Sequence, residues 1–149
     1  MTDLFSKEKR REIMQAIKGR DSKPEIKVRK VVHSLGFRFR LHRKDLPGTP
    51  DLVFPSRKLC IFIHGCFWHR HLGCARTSTP KTNKDFWLAK FHKNVIRDAQ
   101  VKRQLEMKGW SVVIIWECET KNIDMLTEKL LHVLSDSTYY FTGKKSKVT

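Results

Sequence analysis

Residues 51–64 read DLVFPSRKLCIFIH, and this stretch decides the fold class. Its two apolar runs, 51–54 and 59–64, contain the branched and aromatic side chains that favour β-strands. Between them lies Pro55-Ser56-Arg57-Lys58, a cluster of turn-forming and polar residues, so the stretch predicts a β-hairpin. Pro47-Gly48-Thr49-Pro50 predicts a turn directly before the first strand.

Helical patterns lie on both sides of this hairpin. Apolar residues spaced three and four apart predict helices over 6–19, 22–35, 84–108 and 123–135. The alternating segment 37–41 predicts a strand with one solvated face, and 110–116 predicts a strand buried on both faces. This order predicts an α/β domain with one mixed sheet flanked by helices. The apolar side of the 84–108 helix is assigned to Leu88, Phe91, Val95, Ala99 and Leu105.

The length and charge of the chain narrow its class. Its 149 residues fit a single domain over 1–149 with a basic tail at 142–149. The 31 Lys and Arg against 15 Asp and Glu give a net charge of +16, which excludes a typical acidic metabolic enzyme and indicates a polyanionic partner. The first residues lack a secretory signal and no apolar stretch is long enough to cross a bilayer. We therefore expect a cytoplasmic or nucleoid-associated protein without a membrane partner.

One group of residues has the composition of a metal site. Cys66, His71 and Cys74 lie within the irregular segment 65–83, which is long for a connection without local support. Thiolates and imidazoles are the donors that zinc prefers, and Cys118 can supply a fourth ligand after the last strand. A structural zinc site is one interpretation, and buried thiols beside a surface histidine are the other. Cys60 lies in mid-strand and is expected to be a core thiol.

A second group of polar residues gathers around the hairpin. Asp51 opens its first strand and His64 ends its second, so both are expected to face one site. An aspartate there can bind Mg2+ through oxygen, and the imidazole of His69 suits acid–base chemistry. Asp98 lies beside the apolar side of the long helix, where a carboxylate needs a partner such as His69.

Each of these residues also has a structural explanation. Asp51 can cap a strand or turn, and His64 can be a core histidine. Glu25 can be the third residue of a helix cap, and Asp98 can pair with a basic neighbour on its own helix. Only their joint presence around one hairpin favours catalysis.

Large aromatic residues flank the same region. Phe67 and Trp68 lie in the irregular segment, and Phe86 and Trp87 begin the long helix. Exposed aromatic side chains can insert between bases and unstack them. For Phe67 and Trp68, packing around the metal loop is an equal alternative, and for Phe86 packing is the expected role.

Taken together, these motifs resemble the very-short-patch repair (Vsr) DNA mismatch endonuclease family. The similarity extends over residues 6–120. The stretches that carry it are LPGTPD at 46–51, HGCFWHRH at 64–71, FWL at 86–88, KN at 93–94, RD at 97–98, GW at 109–110 and WEC at 116–118, with Met14, Ile17, Asp21, Pro24 and Glu25 near the N-terminus.

The resemblance implies a restriction-endonuclease-like core and a Mg2+-dependent nick on the 5′ side of the thymine in a T:G mismatch. Such mismatches arise when 5-methylcytosine deaminates, and the nick starts very-short-patch repair. The family pattern assigns Mg2+ binding to Asp51 and to the main-chain carbonyl of Ile63. It assigns the waters around the ion to His64 and Glu25. It makes His69 the general base and gives Asp98 the task of orienting that base.

The resemblance also implies a structural zinc and several DNA contacts. Zinc would be held by Cys66, His71, Cys74 and Cys118, which makes 65–83 a zinc-stabilised loop. Phe67, Trp68 and Trp87 would form an aromatic wedge beside the mismatch. Met14 and Ile17 would enter from the opposite groove on an N-terminal DNA-binding helix within 1–20. The expected partners are mismatched double-stranded DNA, mismatch-repair proteins and a repair polymerase. The protein itself is expected to be a monomer in the cytoplasm of a prokaryotic cell.

Three features depart from the usual patterns, and the first is Leu72-Gly73 between His71 and Cys74, which leaves the geometry of that loop open. The usual nuclease strand with an acid-x-Lys pattern is absent, since Phe62-Ile63-His64 occupies that place, as in the Vsr variation. Residue 63 is Ile, which a main-chain ligand tolerates. The alternatives are a restriction-type nuclease that cuts matched duplex and a non-catalytic, zinc-stabilised DNA-binding module.

Overall fold

The computed structural model describes residues 21–135. The predicted helix over 6–19, with Met14 and Ile17, and the basic tail at 142–149 lie outside these residues. The elements, in chain order, are α1 (Lys23–Ser34), β1 (Arg40–Leu41), β2 (Leu52–Phe54), β3 (Leu59–His64), α2 (Cys66–His69), α3 (Lys84–Met107), β4 (Ser111–Trp116) and α4 (Ile123–Ser135). Within 21–135, no helix combines the length and apolar character needed to cross a membrane.

The four strands form one mixed sheet in the order β1-β2-β3-β4. The predicted hairpin is confirmed, because β2 pairs antiparallel with β3 and Val53 lies opposite Cys60. The last strand, β4, runs parallel to β3, with Ile61 opposite Val113. The long crossover that a parallel pair needs is supplied by the 65–83 segment and α3.

Helices cover both faces of this sheet, as the α/β pattern predicted. Alternate strand residues such as Leu52 and Ile61 pack with α1 and α4 in one core. Their neighbours Val53 and Cys60 point the other way and pack in a second core that includes Leu105 of α3. The period of two along each strand therefore sends side chains into two apolar layers. Cys60 is fully buried in the second layer, as predicted.

The first helix begins and ends where its caps predict. The Ser22 hydroxyl accepts a hydrogen bond from the Glu25 N–H at 3.4 Å, and Pro24 lies in the first turn. After the helix, Gly36 takes a left-handed conformation with φ +88°, which suits glycine.

The strand predicted over 37–41 is shorter than expected. Only Arg40 and Leu41 pair with β2. Phe37 is still part of the helix end, because its N–H donates to the Val32 carbonyl at 3.3 Å. The alternation of half-buried Phe37 and Phe39 with exposed neighbours persists without strand pairing. The pattern therefore identified the buried face correctly and overestimated the paired length.

Two predictions of burial are wrong. Leu88, Val95 and Ala99 are exposed, because α3 turns a different line of residues toward the sheet. In β4, Val113 and Ile115 are buried but the alternate residues are only half-buried, because β4 is an edge strand beside an open cleft. The inward line of α3 consists of Trp87, Phe91, Asn94, Asp98, Val101 and Leu105.

Candidate active site and metal cluster

Asp51 lies where the hairpin predicts, beside the end of β3. Its Oδ2 accepts a hydrogen bond from the Ile63 backbone N–H at 2.7 Å. The preceding turn is fixed by Gly48, whose φ is +74° and which packs so closely that an added Cβ would lie 2.5 Å from Val101 Cγ1. Burial raises the pKa of Asp51 to about 7, although the Ile63 hydrogen bond opposes this rise. The carboxylate therefore needs nearby positive charge to stay ionised at neutral pH.

Two imidazoles and a second carboxylate lie in the same cleft. The rings of His64 and His69 stack with centroids 3.8 Å apart and planes 10° apart. Asp98 Oδ2 lies 2.6 Å from His69 Nδ1, the pairing that the sequence suggested. This hydrogen bond places the ring hydrogen of His69 on Nδ1 and leaves Nε2 free to accept a proton. This geometry would suit an oriented general base.

His64 is buried and stays neutral. Burial lowers the pKa of His64 to about 4, and the neighbouring His69 adds to the effect. Its buried Nδ1 has no hydrogen-bond partner among residues 21–135. A buried ring nitrogen of this kind needs a water or a ligand to satisfy it.

Glu25 combines the capping role with a place in the cleft. It is only 7% exposed, and Ser22 Oγ lies 3.3 Å from its Oε1. Its other oxygen, Oε2, accepts a hydrogen bond from Arg29 Nη2 at 3.0 Å. His42 Nε2 lies 3.4 Å from the same oxygen. The two explanations that the sequence left open are therefore both compatible with the structure.

Sequence reasoning missed Arg29 and His42. His42 follows β1, and the pairing of Leu41 with Leu52 puts it beside Asp51. Arg29 lies four residues after Glu25, a spacing at which oppositely charged side chains meet on a helix. The helical spacing was visible in the sequence, whereas the position of His42 required the strand register.

Basic side chains line the same cleft, which has a volume of about 390 Å³. Lys44 comes from the loop after β1, and Arg97 and Lys102 come from α3. Positive charge next to a carboxylate and two imidazoles suits a phosphate-containing substrate. The cleft can therefore bind a phosphodiester and present it to an oriented base.

The four predicted zinc ligands converge. One donor atom from each of Cys66, His71, Cys74 and Cys118 lies within 4.8 Å of the others. His71 Nδ1 is 3.6 Å from Cys66 Sγ and 3.5 Å from Cys118 Sγ. Three thiols and one imidazole match the donor set and number of a tetrahedral structural zinc site. All four positions belong to the protein, so no ligand position is left for chemistry.

The electrostatics of this cluster favour a bound cation. Burial raises the pKa of the Cys66 thiol to about 12 and also raises the pKa of Cys118. The Arg76 backbone N–H lowers the pKa of Cys74. A cation would offset the cost of ionising the buried Cys66 and the half-buried Cys118.

The indole of Trp116 connects the two sites. It stacks on His71 with centroids 4.2 Å apart and planes 8° apart. Its edge meets His64 with centroids 5.3 Å apart. Trp116 therefore joins the Cys/His cluster to His64 in the wall of the candidate cleft.

Arg70, for which the sequence predicted no role, cross-links the 65–83 segment through hydrogen bonds. Its guanidinium donates to the Phe67 carbonyl at 3.2 Å and to the Ser78 carbonyl at 2.8 Å. It also lies 3.9 Å from the centroid of the Phe91 ring. These contacts explain how a segment predicted to be irregular stays folded.

The predicted wedge residues pack together. Phe67 and Trp68 are half-buried and meet edge to face at 5.0 Å between centroids. Trp87 is only 4% exposed, and its Nε1 has no partner among residues 21–135. Phe86 was expected to pack but is 56% exposed, because it lies on the outer side of α3. The aromatic cluster thus has one exposed member and three partly or fully covered ones.

An α/β fold with a carboxylate, an oriented imidazole and a basic cleft is the arrangement expected of an enzyme that acts on phosphodiesters. The model of the family described as DNA mismatch endonuclease Vsr matches residues 2–76. A nicking enzyme of Xanthomonas oryzae, V.XorIIP, is 47% identical over 137 residues, which are 92% of this chain and all of that protein. The DNA mismatch endonuclease Vsr of Escherichia coli is 39% identical over 131 residues, 88% of this chain and 83% of that protein. The chain belongs to the Vsr DNA mismatch endonuclease family.

Proposed function

We propose that this DNA mismatch endonuclease makes a Mg2+-dependent nick on the 5′ side of the thymine in a T:G mismatch. The nick would start very-short-patch repair of deaminated 5-methylcytosine. The observation that carries the proposal is the convergence of Asp51, His64 and the His69–Asp98 pair in one basic cleft. Carboxylate and imidazole groups in that arrangement suit phosphodiester hydrolysis.

Each group in the cleft has a separate task. Asp51 and the main-chain carbonyl of Ile63 would hold Mg2+, and the ion would offset negative charge on the scissile phosphate. The neutral His64 and the Glu25 carboxylate, both buried, would hold the waters bound to the ion. His69 Nε2 takes the proton from the attacking water. Asp98 keeps His69 in the tautomer that can do so.

The metal cluster has a structural task in this proposal. Cys66, His71, Cys74 and Cys118 would hold zinc. Trp116, which contacts both His71 and His64, would link that site to His64. The 65–83 segment, which carries His69, then has a fixed position relative to Asp51. Nearby ligands in one loop lower the entropy of closing such a site.

DNA engagement uses the aromatic cluster. Phe67, Trp68 and Trp87 unstack the duplex beside the mismatch, which costs less there than at a matched pair. Because Trp87 is buried, its insertion requires the cluster to open when DNA binds. Met14 and Ile17, which lie outside residues 21–135, would enter from the opposite groove on the N-terminal helix.

The remaining assignments concern the fold class and the cellular setting. The four-stranded mixed sheet, with Asp51 at the hairpin end, supports a restriction-endonuclease-like core. The enzyme would act as a monomer on DNA in the prokaryotic cytoplasm. Mismatch-repair proteins and a repair polymerase would act on the nicked product.

The experiment is nicking of end-labelled duplexes with randomised bases around a T:G mismatch, with and without Mg2+, beside matched T:A and C:G duplexes. We expect one strand to be cut 5′ of the mismatched thymine only when Mg2+ is present. Equal cutting of matched duplexes would indicate a restriction-type nuclease. Tight binding without any cutting would indicate a DNA-binding module.

A further inference from the structure

A cluster of charged side chains beside Asp51 contains the guanidinium of Arg29, which is positively charged at all relevant pH values. Asp21, Glu25 and His42 offer donor atoms within 4.8 Å of one another, which resembles a metal site. The Arg29 guanidinium, however, lies among them. Its Nη1 is 2.7 Å from Asp21 Oδ1, and its Nη2 is 3.0 Å from Glu25 Oε2. The side chain of Arg29 is only 17% exposed, so its charge is poorly screened.

The contact between Arg29 and His42 determines which ring nitrogen carries the hydrogen. Arg29 Nη2 lies 3.1 Å from His42 Nε2. A guanidinium is always charged and has donors but no acceptor. At this distance Nε2 must therefore be the acceptor. A neutral imidazole that accepts at Nε2 carries its hydrogen on Nδ1.

That Nδ1 faces the carboxylate of Asp51. The distance from His42 Nδ1 to Asp51 Oδ1 is 3.9 Å, too long for a hydrogen bond but close enough for electrostatic attraction. An N–H group directed at the carboxylate attracts it, whereas the other tautomer would present a lone pair. The backbone supports the arrangement, since the His42 N–H donates to the Asp51 carbonyl at 3.4 Å with His42 at φ +46°.

We propose that Arg29 is a positioning residue that holds Glu25 and fixes His42 in the Nδ1–H tautomer, so that His42 keeps Asp51 in its working orientation. The effect on nicking rests on the proposed role of Asp51. The tautomer does not, and it can be measured without DNA or metal.

The first test is nitrogen NMR of protein labelled with 15N-histidine, at pH 8 without metal, with His42→Gln to assign the ring signals. In the wild type we expect a protonated Nδ1 and an unprotonated Nε2 for His42. In Arg29→Ala, Nε2 is free to bind a hydrogen and donate to Glu25 Oε2, 3.4 Å away. We therefore expect the His42 signals to move to the Nε2–H pattern.

The matched control is Arg38→Ala, because Arg38 is exposed beyond the other end of α1. It should leave the His42 signals unchanged. A wild-type Nε2–H tautomer, or signals that do not respond to Arg29→Ala, would overturn the proposal. If Arg29→Ala does not fold, Arg29→Lys keeps the charge but loses the fork that reaches three partners. A wild-type tautomer together with a wild-type nicking rate in Arg29→Lys would equally overturn it.

A second experiment measures the nicking rate and the Kd for DNA in parallel, to distinguish an effect on the position of Asp51 from an effect on DNA binding. In Arg29→Ala we expect the single-turnover nicking rate to fall about 10- to 100-fold, as for other residues that support a metal ligand. The Kd for DNA should change less than about threefold, because the Arg29 guanidinium is paired with Asp21 and Glu25 and does not line the basic cleft. A weakened Kd with an unchanged rate would contradict the assignment. Failure of the wild type to nick would overturn the proposed function and leave the tautomer result standing.

Discussion

Asp51 is the residue at which stability and function oppose each other. Its carboxylate is largely buried, and burial raises its pKa to about 7. In the unfolded chain this group ionises near its ordinary value of 3.8. The folded protein therefore holds the Asp51 proton more tightly between these two pH values. Ionised Asp51 lowers the free energy of unfolding, and this cost is complete only above about pH 7.

The first prediction is that Asp51→Asn stabilises the metal-free protein at alkaline pH. Asparagine can still accept the Ile63 hydrogen bond but carries no charge. We expect the free energy of unfolding at pH 8 in EDTA to rise by about 2–4 kcal/mol, since each pKa unit corresponds to about 1.4 kcal/mol. The difference between the two proteins should vanish near pH 4. Urea denaturation at both pH values measures it.

His64 gives the free energy of unfolding the opposite pH dependence. This contribution cancels when wild type and Asp51→Asn are compared. Burial lowers the pKa of His64 to about 4, so its contribution to stability is lost as the pH falls from 6.5 toward 4. Because both proteins contain His64, only Asp51 distinguishes their curves. A variant that is equally stable or less stable at pH 8 would contradict the burial cost assigned to Asp51.

The turn before β2 shows how an element positions a functional side chain. Gly48 has φ +74° and leaves no room for a Cβ against Val101. We predict that Gly48→Ala lowers the free energy of unfolding by about 2 kcal/mol more than Gly36→Ala does. The control isolates the backbone term, because Gly36 also has a positive φ but nothing lies within 4 Å of its Cβ position. If Gly48→Ala and Gly36→Ala lose the same free energy of unfolding in thermal or urea denaturation, the close packing of Gly48 against Val101 adds no cost, which would contradict the prediction.

The metal cluster joins the 65–83 segment to the end of β4. We predict that Cys118→Ser abolishes stoichiometric zinc binding and lowers the Tm, because it removes the only cluster ligand outside that segment. Metal analysis of the purified protein and thermal unfolding measure both effects. Cys60→Ala is the control, since Cys60 is a core thiol that should leave the zinc content unchanged. Full zinc content in Cys118→Ser would restrict the site to the loop ligands.

The elements that were predicted well are those with local signals. The cap at Ser22 and the glycines at 36 and 109 set the ends of α1 and α3, and the turn between β2 and β3 defined the hairpin. The buried side of α3 was assigned wrongly, because apolar residues occur on both of its sides and only the sheet decides which one packs.

In the candidate site, too, the contacts with local sequence signals were predictable, and those that depend on tertiary structure were not. The meeting of Asp51 with the end of β3 follows from any antiparallel hairpin, so the sequence was sufficient. His42 lies beside Asp51 because β1 pairs with β2. This register could not be predicted from the sequence, because a strand of two residues gives no clear periodic pattern. Arg29 was not singled out because helical basic residues usually face solvent, whereas the Arg29 side chain is only 17% exposed and pairs with Asp21 and Glu25.

Over the molecule as a whole, the dominant property is the net charge of +16. Some of this charge lines the candidate cleft, at Lys44, Arg97 and Lys102. We predict that DNA affinity falls by about 10³- to 10⁵-fold between 50 and 200 mM salt, as expected for about 6–10 phosphate contacts. Fluorescence anisotropy with a labelled T:G duplex measures the slope. A salt-independent Kd would show that phosphate contacts do not dominate binding.

The central claim is that one cleft, built on the end of the hairpin, contains both the metal-binding carboxylate and the base. The most direct test is the single-turnover rate of nicking a T:G duplex with Mg2+ for the wild type, Asp51→Asn and His69→Ala, with DNA binding measured in parallel. We predict no nicking by Asp51→Asn and a loss of about 10²- to 10⁴-fold in His69→Ala, with binding retained by both. Wild-type nicking rates in either variant would contradict the account.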